Sequence, residues 1–147
     1  MNAVLDTNVI VDVLTGRVPF FADSARVLDR AEKGEYVAWL CATTVTTVFY
    51  LVRRSHGTEV AVEKLRDLMA ICEVAPVNRP IVESALSGDF SDFEDAVLHE
   101  AAATAGADCI VTRNVSDFRR ATLMVFTPAQ FLEALARERR ERGIIRA

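Results

Sequence analysis

The feature that most limits how this chain can fold is an alternation of two patterns. Short apolar runs recur along it, separated by longer stretches with helical spacing. Asn2–Leu5, Tyr36–Cys41, Cys72–Val77, Asp108–Thr112 and Thr122–Phe126 are each brief, mostly apolar and contain Val, Ile or Leu. Strands buried on both faces look like this. Between them, Phe20–Lys33 places Phe21, Ala25, Leu28 and Ala31 at helical spacing and ends at Gly34, a suitable C-cap. Thr43–Ser55, Thr58–Ala70, Pro80–Leu86, Ser91–Ala105 and Pro128–Arg142 read as further helices. Proline opens two of them, and Ser91-Asp92-Phe93-Glu94 has the form of a capping box. Strands that alternate with helices need crossover connections. The expected fold is therefore α/β: a three-layer α/β/α sandwich around a mostly parallel five-stranded sheet, with the first strand central.

The chain has 147 residues, suits a single domain over 1–147, and shows no repeat, low-complexity tract or linker. About half of the residues are apolar, enough for one core. Cys41, Cys72 and Cys109 are odd in number, widely spaced and form no C-x-x-C pair. They read as small apolar side chains in strands, in a reducing compartment. Tyr36–Val52 runs 17 residues without a charge, just short of a membrane span, but its four threonines fit a buried strand and helix better. With no targeting segment visible, a cytoplasmic protein without membrane association is expected.

The formal charge of −4 argues against binding nucleic acid by bulk charge. Residues 137–147 hold five arginines and two glutamates, so a basic helical tail of +3 follows a body of −7. Cations near the negative pole of a helix dipole explain such an end, and a contact with nucleic acid or a partner is the sharper alternative.

Ligands of open parallel sheets bind beyond the carboxyl ends of the strands. Asp6-Thr7-Asn8 follows the first strand, Arg113-Asn114 follows the fourth, and Asp117 comes three residues later. Asp92 and Asp95 open a helix. Asp6 could equally cap a helix starting near Asn8, and Asp92 and Glu94 could simply favour a positive helix end. Asn114 and Asp117 could be loop and cap residues. Carboxylates that share a cleft stay charged together only when cations neutralise them. Oxygen-only ligation suits Mg²⁺ or Mn²⁺, which activate water and stabilise the oxygens of a phosphodiester displacement. His99, four residues after Asp95, reads as an ion pair or a solvated position before a ligand.

Three segments, in order, make the chain resemble a PIN domain of the kind found in VapC-type toxins. They are Val4-Leu5-Asp6-Thr7-Asn8-Val9-Ile10, Asp92-Phe93-Glu94-Asp95-Ala96 with its alanine-rich helix, and Ala107–Asn114 with Asp117-Phe118. Phe126–Leu132 is similar to the usual closing strand and helix. The likeness spans residues 2–135. It implies a Mg²⁺- or Mn²⁺-dependent ribonuclease with Asp6, Asp95, Asp92, Asn114 and Asp117 in the catalytic site, and Asp6, Asp95, Asp92 and Asp117 on the metal. It further implies an RNA substrate, a homodimer and an antitoxin partner. The family usually has a glutamate on the helix after the second strand, where this chain has Thr47, and often an aspartate at Asn114. An RNA- or protein-binding module on the same fold is the alternative function. Phosphatase and receiver readings are weaker: Asp6-Thr7-Asn8 lacks a second aspartate, and no adjacent acidic pair with a later lysine is present.

Overall fold

The computed structural model describes residues 1–144. β1 (Asn2–Leu5) passes through Asp6 alone into α1 (Thr7–Leu14), and α2 (Phe21–Glu32) leads to β2 (Val37–Cys41). α3 (Ala42–His56) and α4 (Thr58–Ile71) precede β3 (Cys72–Ala75). α5 (Arg79–Ser87) and α6 (Phe93–Thr104) precede β4 (Cys109–Val111). A 3₁₀ turn (Val115–Phe118), β5 (Met124–Phe126) and α7 (Pro128–Glu141) follow. The sheet order is β3-β2-β1-β4-β5, and all four pairings are parallel, with β1 in the middle.

Side-chain alternation along the strands builds two cores, one on each face of the sheet. Ala3, Leu5, Ala38, Leu40, Cys109 and Val111 point to one face, where α1, α2, α3, α4 and α7 pack. Val4, Cys41, Ala75 and Ile110 point to the other, which α5, α6 and the 3₁₀ turn cover. Strands sandwiched this way are apolar on both sides, which explains their continuous apolar character. The uncharged stretch from Tyr36 resolves into β2 and α3, with Thr44, Val48 and Val52 buried at helical spacing. Among the described residues no helix is long and apolar enough to cross a membrane. Gly57, at φ 89°, makes the turn from α3 to α4, a backbone conformation that a side chain would strain.

Several boundaries differ from the sequence expectation for physical reasons. β3 stops at Ala75 because Pro76 has no N–H for the ladder. β5 begins at Met124 rather than Thr122, whose N–H is donated to His99 Nε2 at 3.0 Å. α6 is capped by Asp92, not Ser91: Asp92 Oδ1 accepts the Asp95 N–H at 3.0 Å, and an anionic acceptor is favoured at the positive helix end. The capping box is found instead on α7, where Thr127 and Gln130 cap each other.

All three cysteines are free and buried, and burial pushes the Cys72 and Cys109 thiols up to about 12. In the basic tail, Arg139 pairs with Glu35 at 3.6 Å and Arg142 with Glu138, and Arg146 lies outside the described residues.

Candidate functional site

The β1–β4 register creates the site. Leu5 pairs with Val111, so the next residues, Asp6 and Thr112, leave the sheet side by side at its carboxyl edge. The Asp6 N–H donates to the Val111 carbonyl at 2.9 Å. The Thr112 hydroxyl donates to Asp6 Oδ2 at 2.8 Å, and the Thr7 N–H donates to Oδ1 at 2.7 Å. Asp6 is thus both the cap of α1 and a fixed, buried carboxylate. Asn8 ties the two strand ends together, with its amide 3.4 Å from Asp6 Oδ2 and its Oδ1 accepting the Arg113 N–H at 3.2 Å. The Asn114 N–H donates to Thr112 Oγ1 at 3.1 Å, which holds the chain as it enters the 3₁₀ turn.

Asp6, Asp92, Asp95, Asn114 and Asp117 all line one open cavity of about 360 Å³. They come from three distant segments, brought together where the strand order reverses between β1 and β4. Glu94, Thr47 and the cations Arg17 and Arg113 share that lining. Thr47 Oγ1 lies 3.5 Å from Glu94 Oε1, so the neutral residue on α3 does face the cavity and has a carboxylate from α6 against it.

Electrostatic crowding follows from this gathering. Burial, then the charges of Asp6, Asp92, Asp117 and Glu94, push the Asp95 carboxyl up to about 7. Burial also raises Asp6, with Thr112 and Thr7 lowering it and Glu94 and Asp117 adding to the rise. Among the described residues the Asp95 carboxylate accepts no hydrogen bond and has no paired cation. The donor set is all oxygen, as a hard dication requires. Among the described residues, however, no three Asp, Glu, His or Cys side chains stand close enough to cage an ion alone. Mg²⁺ tolerates that arrangement, because it usually keeps several waters and takes one or two carboxylates plus substrate oxygens.

For His99 the structure overturns only the solvated reading, since its Nδ1 lies 3.5 Å from Glu100 Oε1, an ion pair when the ring is protonated. His99 is buried rather than solvated, accepts from Thr122 and packs its ring 5.1 Å from Phe90. The sequence reading also missed Thr112 as the residue bracing Asp6, and it named Glu94 and Arg113 in these segments without counting them among the site residues. The signal for Thr112 was its place one step past β4, level with Asp6.

The fold and the cavity define an α/β domain that gathers carboxylates from separated segments at the carboxyl edge of a parallel sheet. The PIN domain family model matches residues 2–116, and the chain belongs to the PIN-domain family. No curated protein matches its sequence significantly. Among solved structures it is similar to FitAcB from Neisseria gonorrhoeae at 21% identity and a TM-score of 0.67, covering 86% of this chain and 98% of that one. A toxin–antitoxin complex from Klebsiella pneumoniae gives 19% identity and a TM-score of 0.64, over 86% and 97% of the two chains. VapC20 of Mycobacterium tuberculosis, described as a sarcin–ricin loop cleaving toxin, gives 16% identity and a TM-score of 0.59, over 74% and 86%. At these identities the likeness is one of fold.

Proposed function

We propose that this protein is a Mg²⁺- or Mn²⁺-dependent endoribonuclease that hydrolyses RNA phosphodiester bonds, acting as the toxin of a toxin–antitoxin pair. The observation that carries the reading is Asp95: a half-buried carboxylate without a counter-cation, in a cavity shared with Asp6, Asp92 and Asp117. Such a group, once deprotonated, repels its neighbours unless a cation stands among them.

Asp6 and Asp95 are the principal metal ligands in this reading, with Asp92 and Asp117 as the outer pair and Asn114 as a neutral oxygen donor. A bound dication would lower the pKa of a water and offset charge on the phosphoryl oxygens. The chain's own residues orient and hold charge. Thr112 and the Thr7 N–H fix both oxygens of Asp6, and Asn8 locks the two strand ends that carry the site. Asp95, once deprotonated, offers an oxygen that no protein donor occupies among the described residues. Tyr50, Leu51 and Phe93 are exposed on the two helices flanking the cavity, α3 and α6. They support a docking role for an antitoxin, and a homodimer is the expected assembly.

One observation favours a second reading, a PIN-fold RNA- or protein-binding module without catalysis. Thr47 and Asn114 bring neutral oxygens where further carboxylates would tighten a metal. Incubating wild type and Asp6→Asn with a pool of structured RNAs, with and without chelator, separates the two. Cleavage by wild type that chelator and the substitution both abolish supports the nuclease. Binding without cleavage in Mg²⁺ and Mn²⁺ supports the module.

A further inference from the structure

We propose that Arg113 is a substrate-binding residue, held by Asp12 and Phe20 so that its free guanidinium edge meets a phosphate of a single RNA strand in the acidic cavity. The proposal rests on the nuclease reading and names the group that lets an anionic substrate approach a cluster of carboxylates.

Arg113 begins from a fixed backbone, since its N–H is donated to Asn8 Oδ1 at 3.2 Å. Its side chain is then fastened on two sides. Nε lies 2.9 Å from Asp12 Oδ2 and Nη2 lies 3.4 Å from Asp12 Oδ1. The guanidinium carbon sits 4.1 Å over the Phe20 ring. Asp12 is 1% exposed, on the inner side of α1, so this carboxylate has been taken out of water to meet the arginine. A buried ion pair is a poor way to gain stability, because desolvation consumes most of the attraction. Its better-attested use is to fix geometry.

What the geometry fixes is a cation at the border of two cavities: Arg113 lines the acidic one and also the smaller one beside Phe20. Its side chain keeps 24% exposure, and its Nη1 has no protein partner among the described residues. Arg17 lines the same acidic cavity but is exposed, and its side chain makes no hydrogen bond or salt bridge among the described residues. A guanidinium held flat and oriented loses little freedom on accepting a phosphate, and it remains charged at any working pH. A phosphodiester entering the acidic cavity therefore finds one preorganised arginine at its rim. Asp12 and Phe20 are positioning residues, and only Arg113 touches the substrate.

The test uses the whole chain and a fluorescein-labelled, mixed-sequence single-stranded RNA of about 12 nucleotides. Binding is measured in Ca²⁺ at KCl between about 50 and 200 mM, with a gel confirming intact RNA. The decisive variant is the double substitution Asp12→Asn with Arg113→Gln. It removes both charges together, leaves no unpaired buried carboxylate to unfold the protein, and keeps the net charge constant. Affinity is expected to fall about tenfold, and the slope of log Kd against log salt to lessen by about 0.7, one lost phosphate contact on a single strand. Phe20→Leu is expected to weaken binding about two- to threefold with the slope unchanged, because the charge remains and its placement loosens. If wild type binds and cleaves RNA while the double variant keeps its affinity and slope, the ion pair is structural only and the proposal fails alone. If wild type neither binds nor cleaves, the nuclease reading fails with it.

Discussion

Asp12 and Asp95 stand on different walls of the protein's carboxyl edge, and both are carboxylates drawn out of water by the fold. At Asp12 burial holds the carboxyl above its ordinary value, although the charges around it, Arg113 first and Arg17 second, pull it part of the way back. At Asp95, every charge that acts on it (Asp6, Asp92, Asp117 and Glu94) pushes the same way as burial. One region answers a buried negative charge with a paired arginine. The other stacks negative charges together, and no cation is among the charges that act on Asp95. The first arrangement is charge-paired within the chain. The second is relieved by a proton on Asp95 or by a cation brought to the cavity, so functional chemistry is to be sought there.

The contrast breaks most sharply under substitution. Asp95→Asn should reduce metal-dependent RNA cleavage by about a hundredfold or more, on the scale of one lost charge contact in a preorganised site. The same variant should raise the melting temperature of the chelated protein by about 2–4 °C, because it removes repulsion. Asp12→Asn should do the opposite to stability. It leaves the Arg113 guanidinium partly buried without its partner, with a loss of about 1–3 kcal/mol, measured by urea unfolding. If both variants shift stability in the same direction, the distinction between a compensated and an uncompensated acid is wrong.

A third change sharpens the comparison by adding to the crowded side. Thr47→Glu together with Asn114→Asp should tighten Mn²⁺ binding about tenfold in a calorimetric titration, equivalent to ~1.4 kcal/mol. Unchanged affinity would mean those positions do not reach the ion.

The smallest expected effect is on pH. Asp95 has a folded pKa of about 7 against an ordinary value of 3.8, so the folded state holds the proton more tightly. The stability this gives is complete below pH ~4 and is lost as pH rises to about 7. Asp6 shifts in the same direction and adds to the trend. Chelated wild type should therefore melt about 2–4 °C lower at pH 8 than at pH 5, and Asp95→Asn should flatten that slope. Added Mn²⁺ should reverse the loss above pH 7, where the carboxylates are free of protons.

The sequence carried the parallel sheet because its five strands are short and apolar on both faces, a pattern that crossover helices alone explain. It also placed Asp6 and Asp95 at the cavity, one directly past a strand and the other in the first turn of a helix, although Asp6 is a helix cap as well. It did not carry the pairing of Asp6 with Thr112, because the β1–β4 register joins residues 106 positions apart. Nor did it reveal that His99 turns inward: its helix is alanine-rich and nearly apolar all round, so spacing alone does not tell its buried face from its open one. The Arg113–Asp12 pair was equally hidden. Asp12 looks like an ordinary polar residue of a short helix until the loop after β4 is laid over it.

The central claim is that the acidic cavity is a cation site built on Asp6 and Asp95. Crystals of wild type and Asp95→Asn soaked in MnCl₂, with anomalous diffraction recorded at the manganese edge, test it most directly. The account predicts an anomalous peak in wild type with carboxylate oxygens of Asp6 and Asp95 at about 2.1 Å or one water further out, and its loss in the variant. A peak elsewhere on the molecule, or one at Asp6 that persists unchanged in Asp95→Asn, would contradict it.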